Sequence, residues 1–274
     1  MSPSIDTGTP DLLATLDAGV LTLTLNRPDA RNAMSRAMNQ ALQTQLASAE
    51  MNPAVKVVVL TGAGKGFCAG GDVKGMAASY EGQGQEAGID EKIATQRANQ
   101  RATAGKLFSM PKPTIAALPG AAAGAGLALA LACDLRIMAS TAILTTAFAK
   151  VGFSGDYGGT YFMTQLVGAA KARELYFLSD RVSADEALRL GLTNRVCAPE
   201  ALEAETRALA QRLATGPTVA YRYMKENLNR AMAGSLDDCL DLEATHHIHC
   251  GQTEDHREAT RAFVAKVAPV FKGR

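Results

Sequence analysis

Two glycine-rich runs hold the residue types best suited to chemistry. The first is Thr61-Gly62-Ala63-Gly64-Lys65-Gly66-Phe67-Cys68-Ala69-Gly70-Gly71-Asp72, and the second is Leu118-Pro119-Gly120-Ala121-Ala122-Ala123-Gly124-Ala125-Gly126. Each follows a strand-like run and is expected to open a helix. Small residues let a backbone approach a ligand closely, and the N–H groups at a helix start point outward unpaired. Set side by side, two such loops could aim two N–H donors at a single oxygen. That is an oxyanion hole, worth roughly 3 kcal/mol per donor in a transition state. Either loop alone reads equally well as a tight turn. Gly64-Lys65-Gly66-Phe67-Cys68-Ala69 also fits the loose G-x-G-x-x-A dinucleotide pattern, a weak signal so deep in a chain. Gly66 follows Lys65 where a P-loop has Ser or Thr.

Other reactive groups are discounted. All four histidines lie at residues 246–256, and His246, His249 and Cys250 share a helix face. They resemble metal ligands, but no acidic or histidine partner stands at comparable spacing in the glycine blocks, so no metal is expected and packing at a subunit contact is preferred. Cys68 lies in the first loop, beside the expected oxyanion donors, without a histidine nearby, and reads as a small buried residue. Ser183-Ala184-Asp185-Glu186 is a capping box that starts a helix and carries no chemistry.

The elements that must position these loops follow from periodicity. Residues 12–25 alternate around Asp17-Ala18-Gly19 and predict a hairpin. A helix is expected from about Ser35, with Met38, Leu42 and Leu46 on one face. Val55 to Leu60 is an apolar, β-branched run interrupted only by Lys56, suited to a strand buried on both sides. Further strands are expected at 114–118 and 134–138, giving β-α-β units and a mainly parallel sheet. Residues 81–88 read as a loop without apolar anchors. Beyond about residue 199 the chain is expected to be helical, with breaks at Pro217 and Gly234.

Composition narrows the class. With 28 basic and 27 acidic residues the formal charge is +1, which does not favour nucleic acid as a partner. Five cysteines without a Cys-x-x-Cys pair suit reduced thiols and a cytoplasmic protein. The start of the chain shows no secretory signal pattern. Residues 114–133 carry no charge, yet the run is broken by Pro119 and glycines, so a buried strand, turn and helix is expected rather than a membrane span.

Four blocks in order, NRPDARNAMS (26–35), GKGFCAGGD (64–72), PGAAAGAG…ACDLRIMA (119–139) and GFSGDYGGT (152–160), together with the ending FVAKVAPVFKGR, resemble the enoyl-CoA hydratase/isomerase, or crotonase, superfamily over nearly the whole chain. The resemblance implies an α/β crotonase (ClpP/crotonase) fold of repeated ββα units. It implies a core over 1–198 carrying an acyl-CoA site and a helical trimerisation region over 199–274, assembling as a homotrimer or a dimer of trimers. It places the oxyanion hole at the backbone N–H groups of Gly71 and Ala125. Ala33, Ala69, Asp72 and Val73 fall on positions lining the coenzyme A site, and Lys65 and Lys74 on basic positions near its phosphates, unless these are simply solvated surface lysines. Phe271 and Lys272 fall where a neighbouring subunit's nucleotide would be covered. No cofactor beyond the coenzyme A of the substrate is implied, and no membrane partner.

The same resemblance expects two hydratase glutamates at positions occupied here by Ala128 and Phe148, neither of which moves a proton. The carboxylate in the right block is Asp156. Members with an aspartate there resemble isomerases or dehalogenases, and no histidine is at hand to activate water for the latter. Asp156 is therefore expected to shuttle a proton, its carboxyl raised by an apolar wall that includes Phe148. The competing reading is a cap on a helix starting at Tyr157. Three functions stay open: an isomerase using Asp156, a hydratase or hydrolase using Asp156 with water, and a silent acyl-CoA binder. Phe148, Phe153, Tyr157 and Tyr161 are candidates for contact with a ring or branched acyl chain.

Overall fold

A computed structural model describes residues 3–72 and 88–274. Val73 and Lys74, and residues 81–87 of the expected loop, lie outside them.

The hairpin forms as its alternation requires. Strands β2 (Leu12–Asp17) and β3 (Val20–Leu25) pair antiparallel, with Leu16 opposite Leu21. Strand β1 (Ser4–Ile5) adds at the outer edge of β2. Helix α1 (Arg36–Met51) is capped by Ser35, whose hydroxyl accepts the Met38 N–H at 3.0 Å. It buries Met38, Leu42 and Leu46, the stripe its sequence period predicts.

Strand β4 (Val57–Gly62) follows, and Val57, Val58, Val59 and Leu60 are buried on both faces. With β6 (Thr114–Leu118), β8 (Leu135–Ala139) and β11 (Arg195–Cys197) it builds a seven-stranded sheet in the order β1-β2-β3-β4-β6-β8-β11, parallel from β3 onward.

Both glycine loops contain structure that their composition hides. Strands β5 (Gly66–Cys68) and β7 (Ala121–Ala123) lie inside them and pair in parallel. With β9 (Ile143–Thr145) and β10 (Val182–Ser183) they form a second sheet, β10-β9-β7-β5. The successive pairs β4/β5, β6/β7 and β8/β9 therefore each send one strand to the large sheet and a short one to the small sheet, with a helix later in each unit. Helix α2 (Ile89–Gln100) runs into a π-helical turn (Arg101–Gly105) and a last α-turn (Lys106–Ser109). Helix α3 (Ala125–Ala132) is buried at every residue, and α4 (Gly159–Leu178) packs on it. The uncharged run 114–133 thus becomes strand, turn, short strand and helix. No helix among the described residues is long and apolar enough to cross a membrane.

The chain after β10 is helical apart from β11. Helix α5 (Ala184–Arg189) is capped by Ser183. Helix α6 (Leu202–Ala214) lies on β4, β6 and β8, with Leu202, Leu209 and Ala210 in the core. Helices α7 (Thr218–Ala231), α8 (Leu236–Gly251) and α9 (Glu254–Ala265) follow, with Pro217 and Gly234 at the breaks. Buried Lys225 ties α7 to the body through the Leu107 carbonyl at 2.9 Å and Asp134 at 2.8 Å. His246 does not join a metal cluster. Its Nδ1 faces Asn227 at 2.6 Å, its Nε2 faces Glu226 at 3.2 Å, and its ring stacks on Tyr223. Among the described residues no three His, Cys, Asp or Glu side chains gather to hold a metal ion.

Candidate active site

The first glycine loop is held from behind by the 26–35 block. Asn32, fully buried and with φ +55°, accepts the Arg27 N–H at 2.9 Å through its Oδ1 and donates to the Ala63 and Gly66 carbonyls at 2.9 and 2.8 Å. Ala69 N–H donates to the Arg31 carbonyl at 3.0 Å, and the Gly70 carbonyl accepts the Met34 N–H at 2.8 Å. In a trans peptide the carbonyl and the N–H that follows it point to opposite sides. The Gly71 N–H is therefore turned away from Met34.

The second loop lies against the first. Gly70 has φ +90°, and a β-carbon there would stand 2.9 Å from the Ala123 carbonyl oxygen and 3.3 Å from the Ala125 nitrogen. Ala125 opens α3, so its N–H is one of the four with no acceptor inside the helix. The two backbones that carry Gly71 and Ala125 are thus in close contact. Gly126 makes that contact possible. A β-carbon on it would lie 2.4 Å from the Cys68 carbonyl oxygen and 2.6 Å from the Cys68 β-carbon, inside any tolerable contact. Cys68 itself is fully buried, and burial pushes its thiol up to about 12. It is a packing residue and no nucleophile.

The positions expected to line a coenzyme scatter around this junction. Ala33 is buried and its carbonyl accepts the Arg27 Nη1 at 2.7 Å, while the same nitrogen meets Asp72 Oδ2 at 3.1 Å. Ala69 and Lys65 are exposed. Arg27, with Asp11 at 3.7 Å on its other side, and Asn32 both lie in a quoted block, but nothing in their spacing marked them as the clasp of the loop. Lys272 is pinned within its own chain: its N–H and that of Gly273 donate to buried Asp255 at 2.6 and 2.9 Å.

Asp156 does not cap a helix. The helix begins at Gly159 rather than Tyr157, its cap residue is Gly158, and no side chain bonds its first turn. Asp156 instead opens a turn in which its carbonyl accepts the Gly159 N–H at 3.0 Å. Tyr157 and Gly158 between them have φ +50° and +75°, the backbone of a type I′ turn. The turn rests on α3, since a β-carbon on Gly159 would lie 3.1 Å from the Ala128 β-carbon, one helical turn beyond Ala125. Asp156 Oδ1 is buried without a hydrogen-bond partner.

Burial raises the Asp156 carboxyl to about 6. An unpaired carboxylate in apolar surroundings loses solvation that nothing replaces, so its neutral form gains. Its charge is felt in turn by Tyr157, held up at about 12 chiefly by burial, and by Tyr176, pushed up in the same way. Tyr176 stacks on Phe148 with centroids 5.9 Å apart. Phe148, expected in an apolar wall, thus packs on a ring that feels the Asp156 charge, and the sequence reading missed Tyr176. Of the other aromatic candidates, Tyr161 packs edge-on against Phe108, Phe153 is exposed, and Tyr157 is buried.

The arrangement sets the backbones that carry Gly71 and Ala125 in contact, with a carboxyl whose Oδ1 is buried on a turn against the same helix. The Enoyl-CoA hydratase/isomerase family model matches residues 15–274. The chain belongs to the enoyl-CoA hydratase/isomerase family. Relatives within the family are similar over most of their length. A 1,2-epoxyphenylacetyl-CoA isomerase of Escherichia coli (strain K12) is 36% identical over 263 residues, covering 96% of this chain and 98% of that protein. A short-chain-enoyl-CoA hydratase of Clostridium acetobutylicum is 34% identical over 248 residues, covering 90% and 92%. The crystal structure of an enoyl-CoA hydratase from Bacillus anthracis superposes with a TM-score of 0.88 at 31% identity, covering 96% of this chain and 100% of that one. In this family member, positions 128 and 148 hold Ala and Phe, buried at 1% and 7% exposure, and neither side chain can carry a proton.

Proposed function

We propose that this enzyme shifts a double bond in an enoyl-CoA thioester. Asp156 takes a proton from C2 of a 3-enoyl thioester, and the Gly71 and Ala125 N–H groups hold the dienolate oxygen. The same carboxyl then returns the proton to C4, leaving the double bond between C2 and C3. Net composition is unchanged, so no redox partner or further cofactor is needed beyond the coenzyme A of the substrate. The observation that carries this reading is Asp156 Oδ1, buried, unpaired and free of any capping duty. A carboxyl near 6 can accept and return a proton at neutral pH with little bias either way. One relative is named an isomerase of an acyl-CoA thioester, although its named substrate is an epoxide and not an enoyl group.

Ala33, Ala69, Asp72 and Val73 would line the coenzyme, with Lys65 and Lys74 toward its phosphates. The test is turnover of 3-enoyl-CoA and 2-enoyl-CoA in deuterated water. Double-bond migration with deuterium entering at the proton-transfer carbons, and no added water, is the expected result. Hydration of the 2-enoyl thioester as the main reaction would point to Asp156 working with water, and no turnover of either to a binder.

We further propose a homotrimer or a dimer of trimers, built through the helical region. Leu228, Leu236, Leu240, Phe263, Val264 and Val267 stand more than half exposed on or just beyond α7, α8 and α9, a density of apolar surface that calls for cover. Light scattering on the purified chain should return three or six times the mass of the 28.7 kDa chain; a monomer would sink this part.

A further inference from the structure

Resting on Asp156 as the proton carrier, we infer that Gln100 is the positioning residue that aims it. Gln100 ends α2, where the helix widens into the π-helical turn Arg101–Gly105. Such π-turns interrupt the regular helix and re-aim side chains. The Gln100 Oε1 accepts the Tyr157 N–H at 2.6 Å. Tyr157 needs that partner. It sits at φ +50° in the first central position of the Asp156–Gly159 turn, a conformation unfavourable for a bulky residue. A backbone held there persists only when its surroundings over-determine it.

Those surroundings are polar contacts from α1 and from the end of α2. The Tyr157 hydroxyl meets Asn39 Nδ2 of α1 at 3.3 Å, and its ring is buried. Gln43, one turn further along α1, donates to Asn99 Oδ1 at 2.9 Å, next to Gln100. Thr103, fully buried in the π-turn, donates to the Asn99 carbonyl at 2.7 Å. Tyr157 is thus gripped at its backbone by Gln100 and at its ring end by Asn39. Asp156 has no hydrogen bond of its own at Oδ1 to set its direction. Its orientation is inherited from the residue that follows it, and that residue is held by Gln100.

The test compares wild type, Gln100→Ala, Gln100→Glu and Asp156→Asn with a 3-enoyl-CoA substrate. Gln100→Ala should lower kcat by about 10- to 100-fold with KM within a few-fold, because orientation is lost and thioester binding is not. Gln100→Glu keeps the acceptor but sets a second negative charge near Asp156. The titratable groups that feel the Asp156 charge are Tyr157 and Tyr176, and Cys68 acts in turn on Tyr157. The added charge disfavours carboxylate ionisation, so the acid limb of the rate profile should move to higher pH. Well above that limb, Gln100→Glu should approach wild-type kcat while Gln100→Ala does not. If Asp156→Asn is inactive but Gln100→Ala keeps wild-type kcat, or if Gln100→Glu is as impaired as Gln100→Ala at every pH, the positioning role is wrong and the base stands. If Asp156→Asn is itself active, the underlying function fails instead.

Discussion

Replacing Asp156 with asparagine should lower kcat/KM for a 3-enoyl thioester by about 10²- to 10⁴-fold, a loss of about 3–5 kcal/mol in transition-state stabilisation. Asparagine has nearly the same shape, so the turn onto Gly159 and the packing on Ala128 should survive. The wild-type profile should rise through about 6, where Asp156 ionises. The same substitution should stabilise the fold at neutral pH. The carboxyl titrates higher in the folded chain than in the unfolded one, so the folded state keeps a proton that the unfolded state has already released. Stability contributed by the neutral carboxyl is complete below the ordinary value of 3.8 and is lost as pH rises to about 6. Removing the charge should recover roughly 1–2 kcal/mol at pH 7, after discounting for solvent that still reaches the group. Chemical denaturation across pH reads this directly. A loss of activity together with a loss of stability would mean that Asp156 is structural.

Gly126→Ala should be strongly damaging for so small a substitution. Its β-carbon would meet the Cys68 carbonyl oxygen at 2.4 Å and the Cys68 β-carbon at 2.6 Å. Overpacking of side chains costs about 1–3 kcal/mol because they can rotate away. Here an atom of the β5 backbone is in the way, and it cannot move without pulling β5 from β7, so a cost at or above about 3 kcal/mol is expected. The separation of the two loops would also open the Gly71–Ala125 junction, so the protein that does fold should show a lower kcat. Thermal melting and turnover of the purified variant check both effects. Adding Cys68→Ala should not restore either one, since the carbonyl remains. Full recovery in the double variant would show that the sulfur side chain, and not the backbone, limits the approach.

Much of the frame was legible along the chain because it rests on local patterns. The hairpin alternation, the α1 stripe, the β-branched run of β4 and the breaks at Pro217 and Gly234 are each short-range signals, and each appears in place. The four blocks marked the family and placed Gly71, Ala125 and Asp156 as candidates. The short strands β5 and β7 were hidden, because glycine and alanine have little strand character of their own and pair only when the large sheet brings the two loops together. The loop clasp was hidden for a similar reason: Arg27 and Asn32 look like ordinary polar residues until their partners at Ala63, Gly66 and Asp72 arrive from far along the chain.

Asp156 shows where sequence stops most clearly. An aspartate before a helix reads as a cap, and only the fold puts its helix two residues later and leaves Oδ1 unpaired beside Tyr176. Residue types and their order determined which elements form and which groups are available for chemistry. Tertiary packing decided which of those groups lose water, because burial is a property of neighbours distant in sequence, and desolvation is what turns an ordinary carboxyl into one that titrates near neutral pH.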